Sequence, residues 1–483
     1  MNRLNYLTGA AALALPLSPL LAQDHSAHDA HAGHSMPAPA PAPAPAPSPA
    51  PAPAPMDHSS HGEHAMPGAP NGAADWEYVG PNPRYLKGCT SFALVGEDSN
   101  IDGQICRPAA GSGTSRLPAT EGMMHGLHFG AGDDWMVMAH GYAWAVATDQ
   151  SGPRGDSGVY VQSMAMLSAE RETGWGRVEA RTMLSLEPLM DNRGYPNLFA
   201  TGETAGGEPL VDRQHPHDLF MELAARVDVN VGDSASLFLY GGPVAEPAIG
   251  PSAFMHRSSA RYNPEAPITH HWFDSTHITY GVVSAGYSSA TWQVEASAFR
   301  GAEPDERRWN IETPALDSWA VRATLNPTPK WSIQASHAFL KQPEAGHPGE
   351  NEHRTTASVH YASDNGLSAM LAFSAKNRDP GPVLTAWLGE VNWNVSDHHT
   401  LFGRAENVAN DELFPDHASP LHDQRFRVTK VQLGYAYRLP LGEQFTLALG
   451  GTVAAFYAPA ALDSAYGRRP IGATLFARLA LGL

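Results

Sequence analysis

The sequence predicts an all-β chain: an antiparallel transmembrane β-barrel of about 16 strands (14 is the alternative count) behind a disordered Pro/Ala- and His-rich N-terminal tail. Three observations predict it. The strand-like segments are long. They fall near 134–148, 157–170, 173–187, 217–230, 235–241, 276–288, 289–301, 316–326, 329–341, 353–364, 366–378, 384–394, 397–410, 426–439, 443–457 and 470–482. Soluble strands run to about 5–6 residues, whereas a tilted membrane strand needs about 9–11. The connections alternate. Short turns near Thr173, Gly232, Ser289, Pro327, Asn365, Ser396 and Gly442 interleave with longer loops at 149–156, 188–216, 242–275, 302–315, 342–352, 379–383, 411–425 and 458–469. This is the short-turn, long-loop rhythm of a membrane barrel. Finally, the side chains alternate with a period of two. In 426–439, Val431, Leu433, Tyr435, Tyr437 and Leu439 oppose Gln432 and Arg438; in 470–482, Ile471, Ala473, Leu475, Ala477 and Leu479 oppose Thr474, Phe476 and Arg478. Trp319, Trp331, Trp387 and Trp393 lie near strand ends, where an aromatic girdle belongs. A soluble array of β-sandwiches is the competing architecture, and it would not need the alternating loops.

In chain order, residues 1–22 carry Arg3, an apolar stretch and small residues, the pattern of a secretory signal peptide cut after Ala22. Residues 23–75 are low-complexity. His25, His28, His31 and His34 recur every third residue and end in Met36; Met56, His58, His61, His64 and Met66 repeat the pattern after a Pro-Ala spacer. The spacer favours polyproline II, roughly 60 Å long at ~3.1 Å per residue. Imidazole binds Cu(II), Zn(II) and Ni(II), and thioether favours Cu(I), so the mixture points to copper, with zinc and nickel as alternatives. Cleavage after Ala22 would also create Gln23-Asp24-His25, an amine, two amides and an imidazole suited to square-planar Cu(II) or Ni(II). Residues 76–133 read as a small stapled segment or plug. They hold the chain's only cysteines, Cys89 and Cys106, which are expected to pair in an oxidising compartment and contribute about 3 kcal/mol. Met123, Met124, His125 and His128 follow as a second, weaker metal candidate. The barrel is placed at 134–483.

The stretch from Asp212 to Tyr280 is the most histidine-rich part of the barrel. His215, His217, His256, His270, His271 and His277 fall at strand ends or in the longest loop, with Asp218 and Asp274 nearby. A loop that long is commonly functional, and it is expected to fold into the mouth and narrow it. These six residues are the candidate metal ligands of the mouth; capping and mutual hydrogen bonding is the alternative use. In the strand that follows Asp218, Leu219, Met221, Leu223, Ala225, Val227 and Val229 are expected on one apolar face, against Glu222, Arg226, Asp228 and Asn230. On the first three strands Met136, Met138, His140, Met164, Met166 and Met183 take the lumen parity. They read as wall packing first and as a soft-ligand path for Cu(I) second. His337 falls on an apolar parity, 276–288 gives no clear face, and Phe402 and Val408 share a side with Arg404 and Glu406; a local bulge or a shifted register would account for these.

With formal net charge -18 the chain is a poor nucleic-acid partner and attracts cations. Asp397-His398-His399, Asp133-Asp134 and His256 near Ser258 are the residues an enzyme reading would use. No spacing ties a nucleophile to its base, so no catalytic residue is assigned and no cofactor is required. The signal peptide, the loop alternation and the last strand GATLFARLALGL resemble the outer-membrane barrel proteins of Gram-negative bacteria over about 134–483. The His/Met-rich leader ahead of a barrel is similar in layout to the copper-resistance outer-membrane protein B family. The resemblance implies a porin-like barrel in outer-membrane lipid, with copper-like ions as ligands. An even strand count puts both chain ends on the short-turn side, the periplasm, where the tail could meet a periplasmic metal-handling protein as a partner. The alternatives are a general diffusion porin or structural barrel with a metal-buffering tail, and a barrel enzyme.

Overall fold

The computed structural model describes residues 76–78, 108–122, 126–131, 135–232 and 234–482. The tail ligands His25, His28, His31, His34, Met36, Met56, His58, His61, His64 and Met66 lie outside the described residues. So do Cys89, Cys106, Met123, Met124, His125, Asp133 and Asp134.

Sixteen strands close a barrel. They are β1 (Trp135–Gln150), β2 (Ser157–Thr173), β3 (Gly176–Leu184), β4 (Phe220–Val231), β5 (Ala235–Ala245), β6 (Thr279–Ser289), β7 (Trp292–Phe299) and β8 (Ser318–Leu325). They continue as β9 (Trp331–Leu340), β10 (Asn351–Ala362), β11 (Leu367–Asp379), β12 (Val383–Asn394), β13 (His399–Asn410), β14 (Phe426–Leu441), β15 (Phe445–Tyr457) and β16 (Ile471–Leu481). Each pairs antiparallel with its sequence neighbour, and β16 returns to β1 from Gly472↔Gln150 to Ala480↔Tyr142. Closure leaves no open edge among these strands, the condition for exposing a sheet to lipid. A short strand, Leu127–Ala131, pairs with the start of β1, and Trp76–Tyr78 pairs with it in turn.

The expected alternation is present. Leu433, Leu475, Val159 and Val453 point outward and are 63–82% exposed. The inward residues Gln432, Thr474, Arg322 and Glu352 are buried. Trp292, Trp319, Trp331, Trp387 and Trp393 are all exposed on the outer surface. An apolar exterior over a polar interior inverts the soluble pattern and defines a membrane-spanning barrel. No described helix is long and apolar enough to cross a membrane.

Two of the awkward places resolve. His337 faces outward, its Nδ1 2.8 Å from Thr355 Oγ1 and its ring among those of Trp319 and His353. Phe402, Arg404, Glu406 and Val408 all face inward on an unbroken ladder; Phe402 packs inside against Phe476. One expectation is corrected. Met221 is buried on the inner side, because a bulge between Phe220 and Glu222 shifts the register against β3.

The interior is filled. The 246–278 loop, expected to fold into the mouth and narrow it, reaches further: part of it descends to the middle of the strands and bonds to wall after wall. Ala248 N–H donates to Ser297 on β7, Gly250 N–H to Ser336 on β9, and Asn263 to Gln432 on β14. Glu265 accepts from Lys430 on β14 at 2.8 Å and from Thr474 on β16 at 2.6 Å. Arg257, fully buried, donates from Nε and Nη2 to Glu390 on β12 at 2.8 and 3.1 Å. Such buried charges persist only when paired, and removing one partner costs about 3–5 kcal/mol. Residues 108–122 also lie inside: Thr114 bonds Glu295 on β7, Ser332 on β9 donates to Arg116 O, and Ser112 meets Ser252 of the loop.

Candidate functional site: a buried five-histidine centre

Three loops of the long-loop end converge. Residues 185–219 supply His215 and His217; residues 246–278 supply His270, His271 and His277; residues 300–317 supply Glu303 and Arg308. The five rings form a closed circuit. Centroids are 6.5 Å apart for His215–His217, 5.2 Å for His217–His277, His277–His270 and His270–His271, and 6.1 Å for His271–His215. Phe254 packs against His217, His270 and His277. Gly202, at φ 110°, lets its strap pass against the His271 ring, where a Cβ would collide.

Four of the imidazoles are oriented by an acceptor at Nδ1. His217 bonds Glu187 Oε2 at 2.9 Å and His270 bonds Asp274 Oδ1 at 2.9 Å. His277 bonds the Asp274 carbonyl at 2.7 Å and His215 the Pro216 carbonyl at 3.1 Å. A carboxylate or carbonyl only accepts, so Nδ1 carries the proton and each neutral ring keeps its lone pair on Nε2. This is how metal-binding histidines are held. No hydrogen bond from the described protein reaches Nε2 of His215 or of His277. His215 Nε2 lies 3.2 Å from Glu203 Oε1, close enough for electrostatics but without hydrogen-bond geometry. His271 Nδ1 stands 3.4 Å from Glu303 Oε1 in the same way.

His215, His270 and His271 present ligand atoms all within 4.8 Å of one another, and so do Glu203, His271 and Glu303. Burial holds His215 well below its ordinary range, and Arg308 and neighbouring imidazoles add to this. Burial also lowers His270 and His277. Burial opposes the charge on His271 too, but the carboxylates of Glu303, Glu203 and Glu344 together more than offset it and lift the group to about 9. His217 is likewise lowered by burial and raised, on balance, by Glu187. The neutral nitrogens of His215, His270 and His277 beside the Glu303 carboxylate suit a divalent first-row ion, which takes His and Asp/Glu ligands together and would displace the proton that His271 holds.

The sixth mouth histidine, His256, stands apart from this circuit, in the descending part of the loop, and neither ring nitrogen bonds Ser258. His398 and His399 are exposed at the short-turn end, tied to the Arg438 carbonyl and the Tyr435 hydroxyl. Sequence reasoning missed Glu187, Glu203 and Glu303. Their only signal is a carboxylate in a long loop, which is too common to single out.

No protein-family profile matches the sequence. No curated protein matches it either. Among solved structures the chain is similar to OprB of Pseudomonas putida, at 10% identity and TM-score 0.47, over 72% of this chain and 94% of that one. It is similar to OmpF of Salmonella typhi, at 10% identity and TM-score 0.44, over 71% and 97%. It is also similar to an anion-selective porin from Comamonas acidovorans, at 13% identity and TM-score 0.43, over 72% and 100%. The class of this protein therefore rests on its own geometry, a closed, lipid-facing, porin-like barrel of sixteen strands.

Proposed function

We propose that this chain is an outer-membrane barrel that binds and passes small transition-metal cations, copper first among them and zinc or nickel next. The five-histidine centre carries the reading: five imidazoles in one closed circuit, four of them oriented through Nδ1. A purely structural role would use both nitrogens of such buried rings, because an unsatisfied buried polar atom costs about 1–3 kcal/mol. The crossing loop supports a selective path over an open one, since it occupies the lumen that a general diffusion porin keeps for water. On this reading the His/Met-rich tail, which an even strand count assigns to the periplasm, would collect or deliver the same ions and meet a soluble metal-handling partner there. Copper, zinc and nickel sensitivity of a deletion strain, beside a strain lacking residues 23–66, tests the reading. Altered sensitivity in both is expected, and unchanged sensitivity in both rejects metal handling.

A second reading is a narrow diffusion channel whose tail only buffers metal. It is favoured by a small cavity of about 80 Å³ whose lining includes His217 and Glu187 of the long loops and Thr446 and Gly482 of the short-turn side. Planar-bilayer conductance separates the two: steady conductance to simple salts without added metal fits the diffusion channel alone.

A further inference from the structure

The wall beneath the histidine centre carries soft ligands that the centre does not use. On the β1–β2 ladder His140 stands opposite Met166, and on the β2–β3 ladder Met166 stands opposite Met183. Directly paired residues share a face, with Cα atoms about 4.5–5.5 Å apart. All three are buried on the inner side. Met164 and Met221 join the same interior cluster, and Met255 of the crossing loop packs against it. The neighbour of Met255 is His256. Both its ring nitrogens are buried, and no described protein group bonds either one. His140, Met255 and His256 line the same small cavity that His217 of the five-histidine centre lines.

Methionine is a common filler of irregular cores, and packing alone would explain the thioethers. It does not explain an imidazole with two unsatisfied nitrogens set among them, because buried polar groups find partners. Thioether sulfur and neutral imidazole together select soft, monovalent d¹⁰ ions over hard divalent ones.

We infer that Met166, Met183, His140 and His256 form a second metal site, specific for a soft monovalent ion such as Cu(I) or Ag(I), set deeper in the lumen than the five-histidine centre. The site rests on the reading of the barrel as a metal-handling protein only for its purpose. Its ligands are different residues, so the two stand or fall separately. The ion enters as the monovalent species, and no electron transfer is required.

The test uses the full chain refolded in detergent, with Ag(I) as the probe because it does not change oxidation state under these conditions. Equilibrium dialysis counts Ag(I) and, separately, Zn(II) equivalents for wild type, for Met166→Leu/Met183→Leu/His256→Gln, and for His215→Ala/His270→Ala. Met→Leu nearly conserves volume, and heat-modifiable gel migration confirms that each barrel has formed. The triple variant is expected to lose one Ag(I) equivalent and keep its Zn(II). The histidine-centre variant is expected to lose Zn(II) and keep that Ag(I). A folded triple variant with the full wild-type Ag(I) count overturns the site. Should the triple variant not fold, His256→Gln alone decides the question: an Ag(I) affinity within twofold of wild type overturns the site, and a tenfold or greater loss supports it. A wild-type protein that binds this Ag(I) equivalent but no Zn(II) would fail the five-histidine reading alone, and one that binds Zn(II) but no Ag(I) at this site would fail the second site alone.

Discussion

Asp274 joins His270 to Arg257. Its Oδ1 accepts from His270 Nδ1 at 2.9 Å and its Oδ2 from Arg257 Nη1 at 2.8 Å, while Arg257 reaches on to Glu390 in the wall of β12. One carboxylate therefore orients a candidate metal ligand and tethers the crossing loop to the barrel. Asp274→Asn keeps the shape but weakens both bonds. Loss of such an orienting partner typically lowers metal affinity by about 10–100-fold. Zn(II) titration of the refolded protein should show a drop of that size. His256→Gln, which touches neither bond, should leave Zn(II) affinity within twofold of wild type.

The tail and the histidine centre should bind metal independently, because they lie in different parts of the chain and share no residue. Deleting residues 23–66 should reduce total Cu(II) or Zn(II) capacity yet leave one tight Zn(II) equivalent. His215→Ala/His270→Ala should remove that equivalent, because His215, His270 and His271 lie within ligand reach of one another. Equilibrium dialysis on the two variants measures this directly. A tail-deleted protein without tight Zn(II) would place all metal binding in the tail.

Much of the barrel was legible in the sequence because its two signals are local. Strand length and a period of two can be read residue by residue, and all sixteen predicted segments overlap a barrel strand. Met221 escaped because a bulge reverses parity, and nothing in FMEL announces one. The convergence of His215 and His217 with His270, His271 and His277 was legible only as a possibility of composition. It depends on two loops, 185–219 and 246–278, folding towards each other over the mouth. The depth reached by the second loop was not legible at all. It is set by inward charges on distant strands, such as Lys430 and Arg404, whose partner Glu265 lies in that loop. Reading such a pairing requires knowing first that the barrel has closed.

Arg257 should act as the latch of the crossing loop. Its guanidinium makes four hydrogen bonds at 2.8–3.1 Å, to Glu390, Asp274 and the Ser252 carbonyl. In Arg257→Met these are lost, but Glu390 keeps its pair with Arg404 at 2.9 Å, so no wall charge is stranded. The barrel should still form, with the loop looser in the lumen. In planar bilayers the variant should pass simple salts in open events that the wild type does not show. Conductance equal to wild type would mean that the bonds of Glu265 and Asn263 to the wall hold the loop without Arg257.

The lipid-facing surface makes the simplest demand on the fold. Leu433, near the middle of β14, is 65% exposed, and its neighbour Gln432 is buried in the lumen. Leu433→Arg places a charge where the barrel should meet hydrocarbon, at a cost of about 2–4 kcal/mol near the bilayer midplane. The same change nearer a strand end, at Val383, should cost about 0–1 kcal/mol, because the side chain there reaches the interface. Folding titrations into lipid vesicles should separate the two variants by about 1–4 kcal/mol, while in detergent micelles the difference should shrink. Equal stability of both variants in vesicles would mean that Leu433 does not face hydrocarbon, and would contradict the assignment of this surface to the membrane.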